Sequence, residues 1–162
     1  MSADIDVDVE DDAEPDVQLV TFRLKDETYG INVMEVQEVL RVAEIAPVPG
    51  APHYVMGIIN LRGNVVTVIN TRTRFGLPEG DVNDLSRIII IESEAQVVGI
   101  LVDSVAEVVD LSMSDIDSAP NKGNEDSSRY IQGVTSRDNN LLIVVDLKKL
   151  LSDEEWAEMS MH

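Results

Sequence analysis

The chain repeats itself, and that repeat constrains its fold more than any other feature. A shift of 69 positions lays Gly30-Ile31 on Gly99-Ile100, Val33 on Val102, Val36 on Val105, Glu38 on Glu107 and Val39 on Val108. The same shift sets residues 19–22 on 88–91. A shift of 76 sets Gly57 on Gly133 and residues 65–70 on 141–146. The second copy thus carries seven extra residues, placed within 113–129, a stretch of Ser, Asp, Asn, Gly and Pro that reads as loop. Two blocks that match in glycine, apolar and charged positions together outweigh a chance likeness between Val-rich strands. Two strand-rich units predict an all-β chain with a few short helices, built as two barrels of about five strands, whose closure removes exposed edges. Each unit is marginal alone, so the copies are expected to share a core.

Read in order, residues 19–24 and 28–33 are strands around a Lys25-Asp26-Glu27 turn. Val33, Val36, Val39 and Leu40 then recur at helical spacing, which predicts a short helix over 33–41 with Glu38 off its apolar stripe. Pro47 and Pro49 mark an extended edge segment. Residues 87–92 (Arg-Ile-Ile-Ile-Ile-Glu) lack alternation and predict a strand buried on both faces. The expected division is an acidic disordered tail over 1–16, a first barrel over 17–78, a second over 85–151, and a helix over 152–160. That helix is capped by Ser152 and Glu155 and packed by Trp156, the only Trp.

The net charge is −19, from 31 acidic and 12 basic residues, and the first sixteen residues hold eight acids and no base. Such a surface repels nucleic acid and anionic lipid. Acid-rich and Lys-poor, it points to a halophilic source, where molar salt screens the self-repulsion. Aromatics are 4% of the chain, which predicts an aliphatic core. No apolar run is long enough to span a membrane, no basic and apolar leader opens the chain, and a cytoplasmic location is expected. There is no cysteine, so thiolate metal sites and a Cys nucleophile are excluded.

Catalytic constellations do not emerge. His53 and His162 stand far apart, without ligand spacing to a carboxylate. Asp103 and Asp110 read as solvated or capping acids beside an apolar stretch. No phosphate loop or nucleophile elbow is present. Asp115-Ile116-Asp117 lacks the rest of a calcium loop. No catalytic residue, metal site or cofactor is expected, and a binding module is the better reading than an enzyme. One corner invites a partner. In Asn60-Leu61-Arg62-Gly63 the glycine suits a turn needing φ > 0, Leu61 anchors the turn from below, and Arg62 is left on the outside. The second copy keeps Gly133 and the following strand but not the Leu-Arg-Gly corner.

Phe22, Glu27-Thr28-Tyr29-Gly30-Ile31, Val36-Gln37-Glu38-Val39 and Gly57-Ile58-Ile59-Asn60-Leu61-Arg62-Gly63, in that order, resemble the CheW family of bacterial and archaeal chemotaxis adaptors. The second half agrees through residues 98–103, Ala119-Pro120 and Leu150-Leu151. The resemblance implies two SH3-like five-stranded barrels and a non-catalytic adaptor. Such an adaptor couples the helical-hairpin tips of transmembrane chemoreceptors to the regulatory domain of the histidine kinase CheA, in arrays at the membrane. It implies receptor-facing residues at Val36, Glu38, Gly57 and Arg62, leaves the kinase-facing residues unassigned, and suggests a Glu38–Arg62 ion pair that orients Arg62. Asn70-Thr71-Arg72 departs from the family's usual Asp-Leu-Arg, which puts the closing contact of the first barrel in question. The alternatives are the regulatory domain of the kinase, which shares fold and repeat, and a generic SH3-like binding module. A chain opening with its own acidic tail and ending soon after the last helix favours the adaptor.

Overall fold

The computed structural model describes residues 16–93, 96–118, 130–137, 139–150 and 155. The acidic tail before residue 16, Ala119-Pro120 and nearly all of the expected C-terminal helix, Trp156 included, lie outside these residues. Among the described residues eleven strands follow in order: β1 (Asp16–Leu24), β2 (Glu27–Asn32), β3 (Val36–Arg41), β4 (Val55–Leu61), β5 (Asn64–Asn70), β6 (Arg87–Ser93), β7 (Gln96–Val102), β8 (Ser104–Ser112), β9 (Asp117–Ser118), β10 (Ile131–Arg137) and β11 (Asn140–Val145).

These strands form two sheets, a six-stranded one ordered β8-β1-β2-β11-β10-β9 and a five-stranded one ordered β3-β6-β7-β5-β4. Each sheet is SH3-like and draws on both copies. The β1–β2 hairpin of the first copy sits among β8–β11 of the second, through β1–β8 antiparallel and β2–β11 parallel pairing. Reciprocally, β6–β7 of the second copy sits among β3–β5, through β3–β6 and β7–β5. Residues 17–78 and 85–151 are therefore units of sequence, whereas each barrel is completed by a hairpin from the other half. The hairpins carry the same pattern, so the repeat alone does not say which sheet each one joins.

Matched glycines mark the duplication in space. A Cβ on Gly30 would meet Leu19 Cδ1 at 3.1 Å, and one on Gly99 would meet Ile88 Cγ2 at 2.7 Å. A Cβ on Gly57 would meet the Ala46 carbonyl and Ile45 Cγ2 (2.8 Å), and one on Gly133 would meet the Asp117 carbonyl (2.5 Å) and Ile116 Cγ2 (2.6 Å). At both places a neighbouring segment crosses too close for a side chain: Ala46 pairs with Ile58, and Asp117 with Val134.

The core has three parts. Leu19, Val109, Leu111, Leu142 and Val144 fill the six-stranded barrel, and Val66, Val68, Ile88 and Ile90 fill the five-stranded one. A larger cluster between the barrels joins residues of both, including Phe22, Ile31, Ile69, Ile89, Ile91, Ile100 and Leu147. The unbroken Ile88–Ile91 run is explained by this arrangement, since alternate residues enter the barrel interior and the shared core. The expectation of an aliphatic core holds for the barrel interiors alone. In the shared core Phe22 stacks on Tyr29 at 5.7 Å, Tyr29 meets Phe75 edge-on at 5.2 Å, and Phe75 stacks on Tyr130 at 4.4 Å.

The helix expected over residues 33–41 is absent. A single 3-10 turn, Val33–Glu35, capped by the Asn32 side chain, leads into strand β3. The β-branched valines disfavour a helix. The spacing misleads because of a bulge: Val36 pairs with Ile91 and Glu38 with Ile90, which leaves Gln37 unmatched. Val36 therefore packs on the shared core, while Leu40, beyond the bulge, packs on the five-stranded barrel.

Asp103 is paired rather than solvated or capping. It joins Arg72 through Nε (2.9 Å) and Nη2 and accepts the Lys25 backbone N–H at 2.7 Å. This junction ties the end of β7 to the β1–β2 turn and to the helical turn Thr71–Arg74. The Asn70 departure is also accommodated, because its side chain accepts the Thr73 N–H at 3.2 Å and caps that turn. Arg74 closes the other side, holding the Leu150 carbonyl at 2.8 Å and forking onto Glu155.

Candidate functional site

The β4–β5 hairpin turns on two residues, Arg62 and Gly63, between the paired Leu61 and Asn64. Both have positive φ, +52° and +89°, as a two-residue turn matched to strand twist requires. Glycine takes this conformation freely, whereas arginine does so at a cost of roughly 1 kcal/mol. The Asn60 side chain accepts the Gly63 N–H at 2.9 Å and fixes the corner. Leu61 packs on the barrel interior below.

Arg62 forks onto Glu38, with Nη1 to Oε1 at 3.4 Å and Nη2 to Oε2. Its side chain is 70% exposed and that of Glu38 28%. The hydrogen bond from Arg62 holds the Glu38 carboxyl below the usual carboxylate range; desolvation opposes it, and the Arg62 charge adds a lesser lowering. The pair spans a seam, because β3 and β4 are the two end strands of the five-stranded sheet. Glu38 projects from β3 on the side of Leu40, so the bulge at Gln37 is what aims it at Arg62. In an exposed, solvent-screened position such a pair adds little to stability, and its larger effect is to orient the guanidinium.

The four residues singled out from sequence divide accordingly. Glu38 and Arg62 are brought together at the seam. Val36 lies two residues away on β3, half-buried against the shared core, where Val33 and Val105 also pack. Gly57 is apart from the pair, at the crossing of Ala46 over β4. Exposed aliphatic side chains flank the seam: Val39 on β3 and Val65 on β5, at 40% and 67%. Sequence reading passed over Val65 and Val105 because each stands in an ordinary strand pattern, and only the fold gives them their surroundings.

Among the described residues no cluster of His, Cys, Asp or Glu is placed to hold a metal ion. His53 is exposed and meets Tyr54 edge-on at 5.6 Å. No helix among the described residues is long and apolar enough to cross a membrane. What the arrangement offers is a firmly oriented cation on a rigid hairpin, beside aliphatic surface and a junction between barrels.

Comparison with known proteins places the chain. A family model described as a CheW-like domain matches residues 18–155. The chemotaxis protein CheW of Treponema pallidum (strain Nichols) is 37% identical over 147 residues, covering 88% of this chain and 86% of that one. The chemotaxis protein CheW of Bacillus subtilis (strain 168) is 34% identical over 137 residues, covering 85% and 88%. The crystal structure of the scaffolding protein TtCheW from Thermoanaerobacter tengcongensis superposes with a TM-score of 0.80 at 31% identity, over 87% of this chain and 96% of that one.

Proposed function

This chain belongs to the CheW family of chemotaxis proteins, and from that premise we propose that it couples the cytoplasmic tips of chemoreceptors to the histidine kinase CheA. The coupling is non-catalytic. The adaptor is recruited to receptor arrays at the membrane by binding, and it biases the kinase through contacts it makes on both sides.

The observation that carries this reading is the Glu38–Arg62 fork across the barrel seam. A 70% exposed arginine held in a conformation that costs energy has little structural use, and its orientation serves a partner. A helical hairpin presents both acceptors and apolar side chains along one face. Arg62 meets the acceptors, and Val65, Val39 and the junction residues Val33, Val36 and Val105 meet the apolar side chains. Gly57 contributes by letting Ala46 cross β4, which keeps the hairpin that bears Arg62 in place.

The test is a pull-down in high salt with a soluble receptor cytoplasmic fragment and the regulatory domain of CheA, alongside a turnover screen of the adaptor alone. The reading expects both partners to be retained together and no turnover. Retention of neither partner overturns it.

A further inference from the structure

Two arginines face each other across one strand pair. Arg41, at the end of β3, is the direct partner of Arg87, at the start of β6. Like charges set opposite one another in an antiparallel pair destabilise it. The chain has 31 acids for 12 bases, yet neither arginine forms an ion pair among the described residues. Arg87 is held in place all the same, since its Nη1 donates to the Asp84 and Ser86 carbonyls, both at 2.8 Å. Arg41 is exposed, and so is Leu85, two positions before Arg87. The duplication supplies a comparison. The shift of 69 puts Asp110 in the place of Arg41 and Gln18 in the place of Arg87, and these two are again direct partners, in β8 and β1. The six-stranded sheet thus carries no like-charge pair there, and the doubled cation belongs to the five-stranded sheet.

We infer that the Arg41–Arg87 pair is the docking site of the chain's own acidic N-terminal segment. Charge is the first match. The first sixteen residues hold eight acids and no base. Asp4, Asp6 and Asp8 alternate with Ile5, Val7 and Val9, so the segment brings carboxylates for the two guanidiniums and aliphatic side chains for Leu85. The surface at its root gives it no such partner, because β1 opens at Asp16 and the next exposed positions there are Gln18 and its partner Asp110. Length permits the reach. Fifteen extended residues span about 50 Å, whereas a domain of about 150 residues has a radius of gyration of roughly 15 Å and is about 40 Å across. Tethering also sets the effective concentration of the segment at about the millimolar level. The docked segment neutralises the like-charge pair and occupies that face until salt or a stronger anionic partner displaces it. Docking of this kind requires neither receptor nor kinase.

The chain has no cysteine, so Ala3→Cys gives the full chain a single attachment point for a nitroxide label. The amide signals of Arg41, Leu85 and Arg87 are then read by NMR. At 0.1 M KCl they are expected to lose about half of their intensity or more to paramagnetic broadening, and to recover it at 1 M KCl, where the screening length falls from about 10 Å to about 3 Å. Asp4→Asn with Asp6→Asn and Asp8→Asn, which leaves the folded body untouched, is expected to restore the signals at low salt, as is Arg41→Glu. Labelled chain mixed with isotope-enriched, unlabelled chain is expected to show no broadening, because the segment docks on its own molecule. Full intensity at all three amides of the labelled chain at low salt overturns the inference. Broadening that survives neutralisation of the segment overturns it as well, since charge then does not make the contact. Broadening in the mixed sample assigns the face to the segment of a second copy and overturns docking within one chain.

Discussion

Asp103 and Arg72 lie 31 residues apart and meet through Nε and Nη2 of the guanidinium at the one place where the end of β7, the β1–β2 turn and the helical turn after β5 converge. Partial burial pushes the Asp103 carboxyl up. The hydrogen bonds from Arg72 and the Lys25 N–H, with the charges of Arg72 and Arg23, outweigh that push and hold it below the usual range. A carboxyl depressed in the folded state contributes stability at pH values above its unfolded pKa, and that contribution fades as pH falls through the folded value. Stability is therefore expected to drop below about pH 4, the ordinary Asp value. Asp103→Asn is expected to cost about 1–2 kcal/mol at pH 7 and to flatten that acid limb. Urea unfolding at pH 7 and pH 3 measures both, and an unchanged acid limb in the variant contradicts the assignment.

Gly57 and Gly63 are predicted to respond differently to alanine. At position 57 the methyl group runs into the Ala46 backbone, whereas at position 63 it meets nothing within 4 Å. Gly57→Ala is expected to cost about 1–3 kcal/mol through overpacking. Gly63→Ala costs less, on the order of 1 kcal/mol, from positive φ alone. Thermal unfolding of the two variants checks the order.

The hairpin exchange predicts one folding unit. Cleavage in the loop over residues 79–84 leaves halves that each lack a hairpin of their own sheet. The nicked protein is expected to stay together as a folded complex, and each half made alone to be unfolded by circular dichroism. An independently folded half contradicts the topology.

With a net charge of −19, folding gathers like charges that salt relieves. Thermal stability is expected to rise from millimolar to molar KCl. A flat or falling midpoint removes the case for a halophilic source.

Much of this fold is legible in the sequence. The repeat, the hairpin glycines Gly30 and Gly99, the buried Ile88–Ile91 strand and the exposed Arg62 corner all follow from residue types and spacing. Three things do not. Strand β3 reads as a helix because the bulge at Gln37 turns an alternation into a spacing of three. The hairpin exchange is invisible because two copies with one pattern can complete either sheet. The Arg72–Asp103 junction depends on which segments meet, and no local pattern encodes that. Of the candidate site, residue types and spacing give the exposed Arg62 corner alone. The Glu38–Arg62 pair is what the family resemblance implies, and the packing role of Gly57 needed the crossing of Ala46.

The central claim is that Arg62 is held for a partner and not for the fold, and Arg62→Asn separates the two. Asparagine tolerates the positive φ of position 62 better than arginine, which offsets the loss of an exposed, solvent-screened ion pair. The measurement is the affinity of this variant for a receptor cytoplasmic fragment, read beside its thermal midpoint. The account predicts a midpoint within a few degrees of wild type and an affinity at least tenfold weaker. Wild-type affinity at an unchanged midpoint contradicts it.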